Sequence, residues 1–324
     1  MLSDSFSRKF FYLRLSLTDE CNFKCNYCLP DGYHCETPHN NLNLSEIAQL
    51  AECFAKLGTN KIRLTGGEPS LRKDLVEIME VCANTAGIQQ LAMTTNGFKL
   101  ANNAKRWRDA GLTHVNVSVD SLDSRQFELI TGTKTFTKVM AGIDAALEQD
   151  FTAVKLNAVL IKQMAQQNFR KYLEWIKDRP VEVRFIELMQ MGDQPDYFHK
   201  HHVAGSGFKQ LLLNEGWEQQ IRAHNAGPAQ VFQHPDYAGK IGLIMPYSKD
   251  FCATCNRLRV SSQGKLHLCL FGEEGVELRD LLQNPSQIDV LSKRIEDALQ
   301  TKKVSHFLHD GNTGATPHLA SIGG

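Results

Sequence analysis

Over its first 190 positions the chain alternates between two patterns of apolar and polar residues. Short runs rich in β-branched residues read as strands: Phe11–Thr18, Lys61–Thr65, Leu91–Thr95, His114–Asp120, Ala153–Leu160 and Val181–Leu188. Between them apolar residues recur every three or four positions, the helical period. Ser45–Leu57 shows this well. Ile47, Leu50, Ala51, Phe54 and Leu57 fall on one face, Ser45 reads as the N-cap, and Gly58 ends the helix. Asp74–Ala86, Asn102–Ala110, Ser124–Ile130, Lys138–Glu148 and Asn168–Asp178 read as further helices. Six strands alternating with helices predict parallel β/α units. Periodicity alone fits either an incomplete barrel or an open doubly wound sheet.

The strands are unusual for a parallel sheet buried on both faces, which should be almost wholly apolar. Lys61 and Arg63 share one face of their strand, and Lys155 and Asn157 share one face of theirs. Asn116, Ser118 and Asp120 lie opposite Val115, Val117 and Val119, while Arg14 and Arg184 sit mid-strand. Polar faces on several strands predict a wet lumen, and the cations among them predict an anionic ligand. For any one residue the plainer reading is an exposed edge position. Beyond Met189 the alternation stops. Gly192–Gly207 reads as a loop carrying His199, His201 and His202, taken as solvated, and Arg279–Gln300 reads as a helix. The pattern divides the chain into residues 1–205 and 206–324.

Composition narrows the class. The 324 residues include 36 Lys+Arg and 36 Asp+Glu, and a chain without net charge is not built to coat nucleic acid or an anionic membrane. No run of 18 apolar residues suits a membrane span. The first residues lack a basic segment followed by an apolar run, so no secretory signal is expected and a cytoplasmic location is. The nine cysteines then read as reduced thiols, an odd count that suits metal ligation better than a disulfide framework.

Six of those cysteines form two groups of three. Cys21, Cys25 and Cys28 follow the first strand, and Cys252, Cys255 and Cys269 lie near the C-terminus. Thiolates suit zinc or iron–sulfur centres. A closed zinc site and a ferredoxin cluster both take four protein ligands, so three leave one metal position open. At the second group His267, two residues before Cys269, keeps a zinc site possible. Arg257 and Arg259 fall on one side of a strand beside that group, where their planar forks suit phosphate oxygens. Cys53 and Cys82 lie in helical segments and read as core; Cys35 has no assigned role.

The run Cys21-Asn-Phe-Lys-Cys25-Asn-Tyr27-Cys28 resembles the signature of the radical S-adenosylmethionine (SAM) superfamily. Thr65-Gly66-Gly67-Glu68-Pro69 supports it, although such a segment alone is simply a good turn. With the second group, Lys61–Pro69, Met93–Gly97, Arg184–Met189, Phe251–Arg259 and the terminal Gly323-Gly324, the whole chain is similar to the GTP 3′,8-cyclase family of molybdenum-cofactor biosynthesis. The resemblance implies an incomplete (β/α)6 TIM-type barrel with a smaller C-terminal α+β domain. It implies two 4Fe-4S clusters, one on each cysteine group. The open iron of the first would bind SAM, with Tyr27 and Met189 at the adenine, Gly67 at the amino group and Ser118 at the ribose or carboxylate. The open iron of the second would bind the guanine of GTP, beside Arg257, Arg259 and the main chain of Leu258. Arg14, Lys61, Arg63, Lys155 and Arg184 would hold the triphosphate, with Thr94, or its neighbour Thr95, as a further contact.

The implied reaction starts with an electron passed from the first cluster to SAM. The resulting 5′-deoxyadenosyl radical takes hydrogen from C3′ of GTP, C3′ attacks C8 of the guanine, and the base radical is reduced. Gly323 and Gly324 would enter the site and assist. The resemblance further implies a homodimer, an electron donor such as flavodoxin or ferredoxin, and handover to the next pathway enzyme. Two other readings remain at this point: a radical SAM peptide-modifying maturase, and a non-catalytic zinc-binding interaction protein.

Overall fold

The computed structural model describes residues 1–34, 40–190, 195–222, 226–272, 274–314, 316, 320, 322 and 323. Cys35 and Gly324 lie outside them. The first part runs β1 (Tyr12–Ser16), α1 (Leu44–Lys56), β2 (Lys61–Thr65), α2 (Leu75–Asn84), β3 (Gln90–Thr95), α3 (Leu100–Asp109) and β4 (His114–Ser118). It continues through α4 (Ser124–Thr131), α5 (Phe136–Leu147), β5 (Ala153–Leu160), α6 (Ala165–Ile176) and β6 (Glu182–Glu187). Then follow α7 (Pro195–His201), α8 (Ser206–Asn214), β7 (Glu218–Gln219), β8 (Gln230–Gln233), β9 (Lys240–Ile244), β10 (Arg257–Val260), β11 (Lys265–His267), β12 (Val276–Glu277) and α9 (Ile288–Gln300).

The twelve strands among the described residues join one sheet, in the order β12-β11-β10-β1-β2-β3-β4-β5-β6-β9-β8-β7. The run from β10 through β1–β6 to β9 is parallel throughout, and no pairing among the described residues closes it. This is the expected partial barrel. The C-terminal part adds a parallel strand to each edge of the β1–β6 sheet, each followed outward by antiparallel strands. No helix among the described residues is long and apolar enough to cross a membrane.

The alternation along each strand sorts its side chains. Leu13, Leu15, Ile62, Leu64, Met93, Val115, Val117, Leu156, Val183 and Phe185 point outward under the helices and are buried. The apolar faces of α1–α6 cover them, and burying each such side chain stabilises the fold by ~1.5–3 kcal/mol. The opposite faces carry the polar residues into the lumen.

Some helix ends differ from expectation. Asn43, not Ser45, caps α1. Its side chain accepts from the Glu46 amide at 3.0 Å, and the Glu46 carboxylate accepts from the Asn43 amide at 2.8 Å. Glu46 also accepts from Arg279 at 2.8 Å and Gln283 at 2.7 Å, tying the C-terminal part to α1. The segment Arg279–Gln300 is not one helix. Pro285 lacks an amide and follows Asn284, whose side chain caps a separate 3₁₀ turn, so α9 starts at Ile288. Gly192–Gly207 is not all loop, because α7 forms within it. There Tyr197 donates to Asn26 at 2.9 Å and His202 meets Glu187 at 2.8 Å, so His202 is a paired side chain rather than a solvated one.

Candidate active site

The first cysteine group sits in the loop leaving β1, at the C-terminal end of the parallel strands. Carbonyl oxygens of Thr18 and Glu20 accept from the amides of Gly67 and Glu68, both at 2.7 Å, so the glycine loop after β2 is strapped to the start of the cysteine loop. A Cβ on Gly67 would overlap the carbonyl oxygens of Asp19 and Glu20, which is why glycine is required there. The Gly67 amide is thereby used. Glu68 fixes the loop from below. Its buried carboxylate accepts from Ser70 at 2.9 Å, from the Thr95 hydroxyl at 2.8 Å and from the Asn96 amide at 2.6 Å.

The surroundings of this triad are apolar and anionic. Burial pushes the Cys21 thiol up to about 11. Cys25 is pushed well above its ordinary value by burial, then by Asp120, Cys28 and Cys21. A buried thiol raised by a carboxylate and by its two neighbouring cysteines belongs to a donor set that favours positive charge. Tyr27 donates to Asp120 at 2.9 Å, and Asp120 also accepts from the Val159 amide at 2.8 Å. Burial lifts Asp120 to about 6. Ser118, at the end of β4, stands beside Asn157 of β5.

The second triad has a different setting. Cys252, Cys255 and Cys269 open on a cavity of about 650 Å³ whose walls include Arg14, Lys61, Arg63, Arg184, Met189, Arg257 and Arg259. Cys255 is held below its ordinary range although burial works the other way, because Lys302 and Arg257 outweigh it. Arg8 secures the loop: paired to Asp4 at 2.6 Å, it donates to the carbonyls of Cys252 at 3.2 Å, Val304 at 2.8 Å and Lys303 at 2.7 Å. Among the described residues no three His, Cys, Asp or Glu side chains are drawn closely enough together to hold one metal ion.

The lumen cations lie on adjacent strands. Register places Arg14 beside Arg63 and Arg259, Tyr12 beside Lys61 and Arg257, and Asn157 beside Arg184. Crowding shows in their protonation. Burial, with Arg63 and Arg184 adding to it, pushes Lys61 down to about 8. Burial and the charges of Lys61 and Lys155 take His114 down to about 4. The Arg14 Nε is buried without a partner. A concentration of cations with an orphaned donor is a seat for a polyanion. Thr94 accepts from Arg63 at 3.1 Å, whereas Thr95 is committed to Glu68, so Thr94 is the one of the pair that joins the cationic wall.

The five strand cations do not surround one space. Arg14 lines the 650 Å³ cavity only, Lys155 lines a neighbouring cavity of about 540 Å³ only, and Lys61, Arg63 and Arg184 line both. Two lumen residues absent from the sequence reading shape this wall. Tyr12 accepts from Arg63, with Lys61 4.8 Å from its ring centre, and Arg63, Arg14 and Lys61 overcome burial to hold its hydroxyl well below the usual range. Glu182 accepts from Lys155 at 2.6 Å and from Arg184 at 2.5 Å; burial acts to raise its carboxyl, but Arg184 and Lys155 hold it down at about 2. Both lie two residues from a recognised cation, on the same strand face, and that spacing was the available signal.

Leu258 is buried mid-strand in β10, so only its main chain is available to a ligand. The C-terminal tail folds back into the barrel. Gly323, at φ +69°, lies against Thr65 and Gly66, and its carbonyl accepts from Arg259. It bridges the cavity wall and the glycine loop.

A parallel sheet of this kind with three cysteines at the mouth of its first strand defines a radical SAM protein, and the radical SAM superfamily model matches residues 15–176. A second family model, Molybdenum Cofactor Synthesis C, matches residues 181–308. The chain belongs to the GTP 3′,8-cyclase family. It is 59% identical over 323 residues to the GTP 3′,8-cyclase of Vibrio parahaemolyticus, covering 99% of this chain and 97% of that one. It is 56% identical to the GTP 3′,8-cyclase of Pectobacterium atrosepticum, covering 100% and 99%. Among solved structures it resembles Streptococcus suis SuiB bound to S-adenosylmethionine, with a TM-score of 0.59 at 12% identity over 81% of this chain. The match spans 61% of that longer chain and bears on the fold alone.

Proposed function

We propose that the chain converts GTP to (8S)-3′,8-cyclo-7,8-dihydroguanosine 5′-triphosphate in molybdenum-cofactor biosynthesis, using SAM and two 4Fe-4S clusters. The observation that carries this reading is a pair of three-cysteine sites at opposite ends of the strands of a cation-lined lumen, the first past the end of β1 and the second before the start of β10, in a chain that matches GTP 3′,8-cyclases from end to end. Cys21, Cys25 and Cys28 would hold one cluster, and Cys252, Cys255 and Cys269 the other. When bound, the first cluster supplies the electron that cleaves SAM, and the second an open iron for the guanine.

The protein's part is to place the reactants and exclude water. Gly67 offers a carbonyl to the SAM ammonium, Tyr27 and Met189 flank the adenine, and Ser118 meets the ribose or carboxylate. Arg14, Lys61, Arg63 and Arg184, which line one cavity, receive the triphosphate, with Lys155 reaching it from the adjoining cavity and Thr94 steadying Arg63. Arg257, Arg259 and the Leu258 main chain hold the base end. Gly323 keeps Arg259 aimed into the site, and Gly324 follows it. A flavodoxin or ferredoxin as electron donor, a homodimer, release to a following pathway enzyme and a cytoplasmic setting belong to the same proposal.

The test is anaerobic incubation of the iron-loaded protein with reductant, SAM and GTP. Formation of 5′-deoxyadenosine together with a nucleotide carrying a C3′–C8 bond supports the reading. SAM cleavage that is indifferent to GTP, or modification of a peptide instead, overturns it.

A further inference from the structure

Two buried cations stand behind the second cysteine triad, and their circumstances differ. Arg8 is cancelled by Asp4 at 2.6 Å and spends its remaining donors on main-chain carbonyls. Lys302 is 5% exposed and has no carboxylate partner among the described residues. Its ammonium donates to the carbonyl of Leu268, the residue before Cys269, and lies 5.6 Å from the centre of the Phe10 ring. It lines the same cavity as Cys252, Cys255 and Cys269. An ammonium buried without a counter-ion is costly, so a negative group is expected to face it. The three thiolates, with the irons they hold, would provide that group.

We infer that Lys302 sets the reduction potential of the cluster on Cys252, Cys255 and Cys269, as a buried positive charge that favours its reduced form. The inference rests on the reading above that this triad carries an iron–sulfur cluster. Reduction adds one electron from an external reductant to the cluster and makes it one unit more negative. A fixed cation at the wall stabilises that state more than the oxidised one, and charge and hydrogen bonding near the sulfurs are established levers on such potentials. Lys302 is a positioning residue in this sense: it touches neither SAM nor GTP in the proposed reaction. At the first triad the charged side chains that act on Cys21 and Cys25 are the carboxylates of Glu68 and Asp120.

The experiment is a potentiometric titration followed by electron paramagnetic resonance, on the full chain with Cys21, Cys25 and Cys28 replaced by Ala, so that the second cluster alone reports. Lys302→Gln keeps a donor for the Leu268 carbonyl and removes the charge. The expected result is an equilibrium constant for one-electron reduction at least tenfold less favourable, a fall of about 59 mV. Lys302→Arg is expected to stay within about twofold of the parent. In the reverse background, with Cys252, Cys255 and Cys269 replaced by Ala, Lys302→Gln should leave the first cluster's potential where it was. An unchanged potential in the Lys302→Gln chain overturns the inference. If Lys302→Gln loses its iron, Lys302→Arg decides: iron retained at the parent potential supports a charge role, and iron retained at a lower potential contradicts it. Absence of iron from both parent backgrounds would instead discard the underlying functional reading.

Discussion

The two cysteine triads offer the same ligands in opposite surroundings. Around Cys21, Cys25 and Cys28 the protein places apolar walls, Glu68 and Asp120, and the thiols of Cys21 and Cys25 are pushed up. Around Cys252, Cys255 and Cys269 it places Lys302, Arg257 and Arg8, and Cys255 is pushed down although it is buried. The first triad sits in a loop strapped to the glycine loop; the second opens on the 650 Å³ cavity. The difference teaches how one donor set serves two tasks. Anionic, dry surroundings make a cluster a stronger reductant, as cleavage of a sulfonium requires. Cationic surroundings suit a site that must receive a polyanionic nucleotide.

The largest effects should separate the two triads. Cys25→Ala is expected to reduce SAM cleavage to background, a loss of more than about 10³-fold, because a cluster and its ligands act as a unit. Cys255→Ala is expected to abolish cyclisation equally, yet leave SAM cleavage within about tenfold of wild type. Counting 5′-deoxyadenosine and cyclised nucleotide in the same reactions checks both; parallel losses in the two variants would erase the distinction.

Next comes the strap that closes the first site. Gly67→Ala forces a Cβ onto the Asp19 and Glu20 carbonyls, which are backbone and yield little. A loss of about 1–3 kcal/mol of stability is expected from such overpacking, read by denaturant unfolding. SAM affinity should fall while GTP affinity is spared.

A third effect belongs to the cationic side. The empty protein's Lys61 releases its proton near pH 8, below its ordinary 10.5, and the triphosphate would restore that proton. GTP affinity should therefore be full below pH 8 and fall as pH rises through it, by at most about tenfold per unit. Lys61→Arg, which stays charged, should flatten that limb in calorimetric titrations between pH 7 and 9. A wild-type affinity that is level across this range would remove Lys61 from the triphosphate site.

The smallest effect concerns Glu182. Glu182→Gln frees Lys155 and Arg184 from their carboxylate, and GTP should bind about threefold to tenfold more tightly, roughly 1 kcal/mol. Weaker binding would mean that Glu182 instead holds those cations in position. Its folded carboxyl is depressed to about 2, so its own contribution to stability is present above its unfolded value near 4.5 and is lost as pH falls toward 2.

Much of this was legible before any coordinates. The strand alternation placed Lys61 with Arg63 and Lys155 with Asn157 on lumen faces, because a period of two survives in any strand. The cysteine spacings marked both triads. What the sequence could not carry was partnership across distance. Glu182 and Tyr12 sit beside recognised cations, yet their meaning depends on which strands are neighbours. Lys302 lies 33 positions beyond Cys269 and Arg8 lies 244 before Cys252, separations over which no periodicity speaks. The extension of the barrel by β9 and β10 at its two edges was also hidden, since short strands among turns do not announce their partners. Asn43 was missed as a cap because Ser45, two residues on, offers the same chemistry; the Glu46 side chain decides between them.

The central claim is that the two triads each hold their own four-iron cluster. It is tested most directly by the iron and sulfide content of anaerobically purified protein, in wild type, Cys25→Ala and Cys252→Ala. The account predicts about eight irons per chain in wild type and about four in each variant, as three-thiolate ligation at two independent sites requires. Zinc in place of iron, or the loss of all iron from a single substitution, would contradict it.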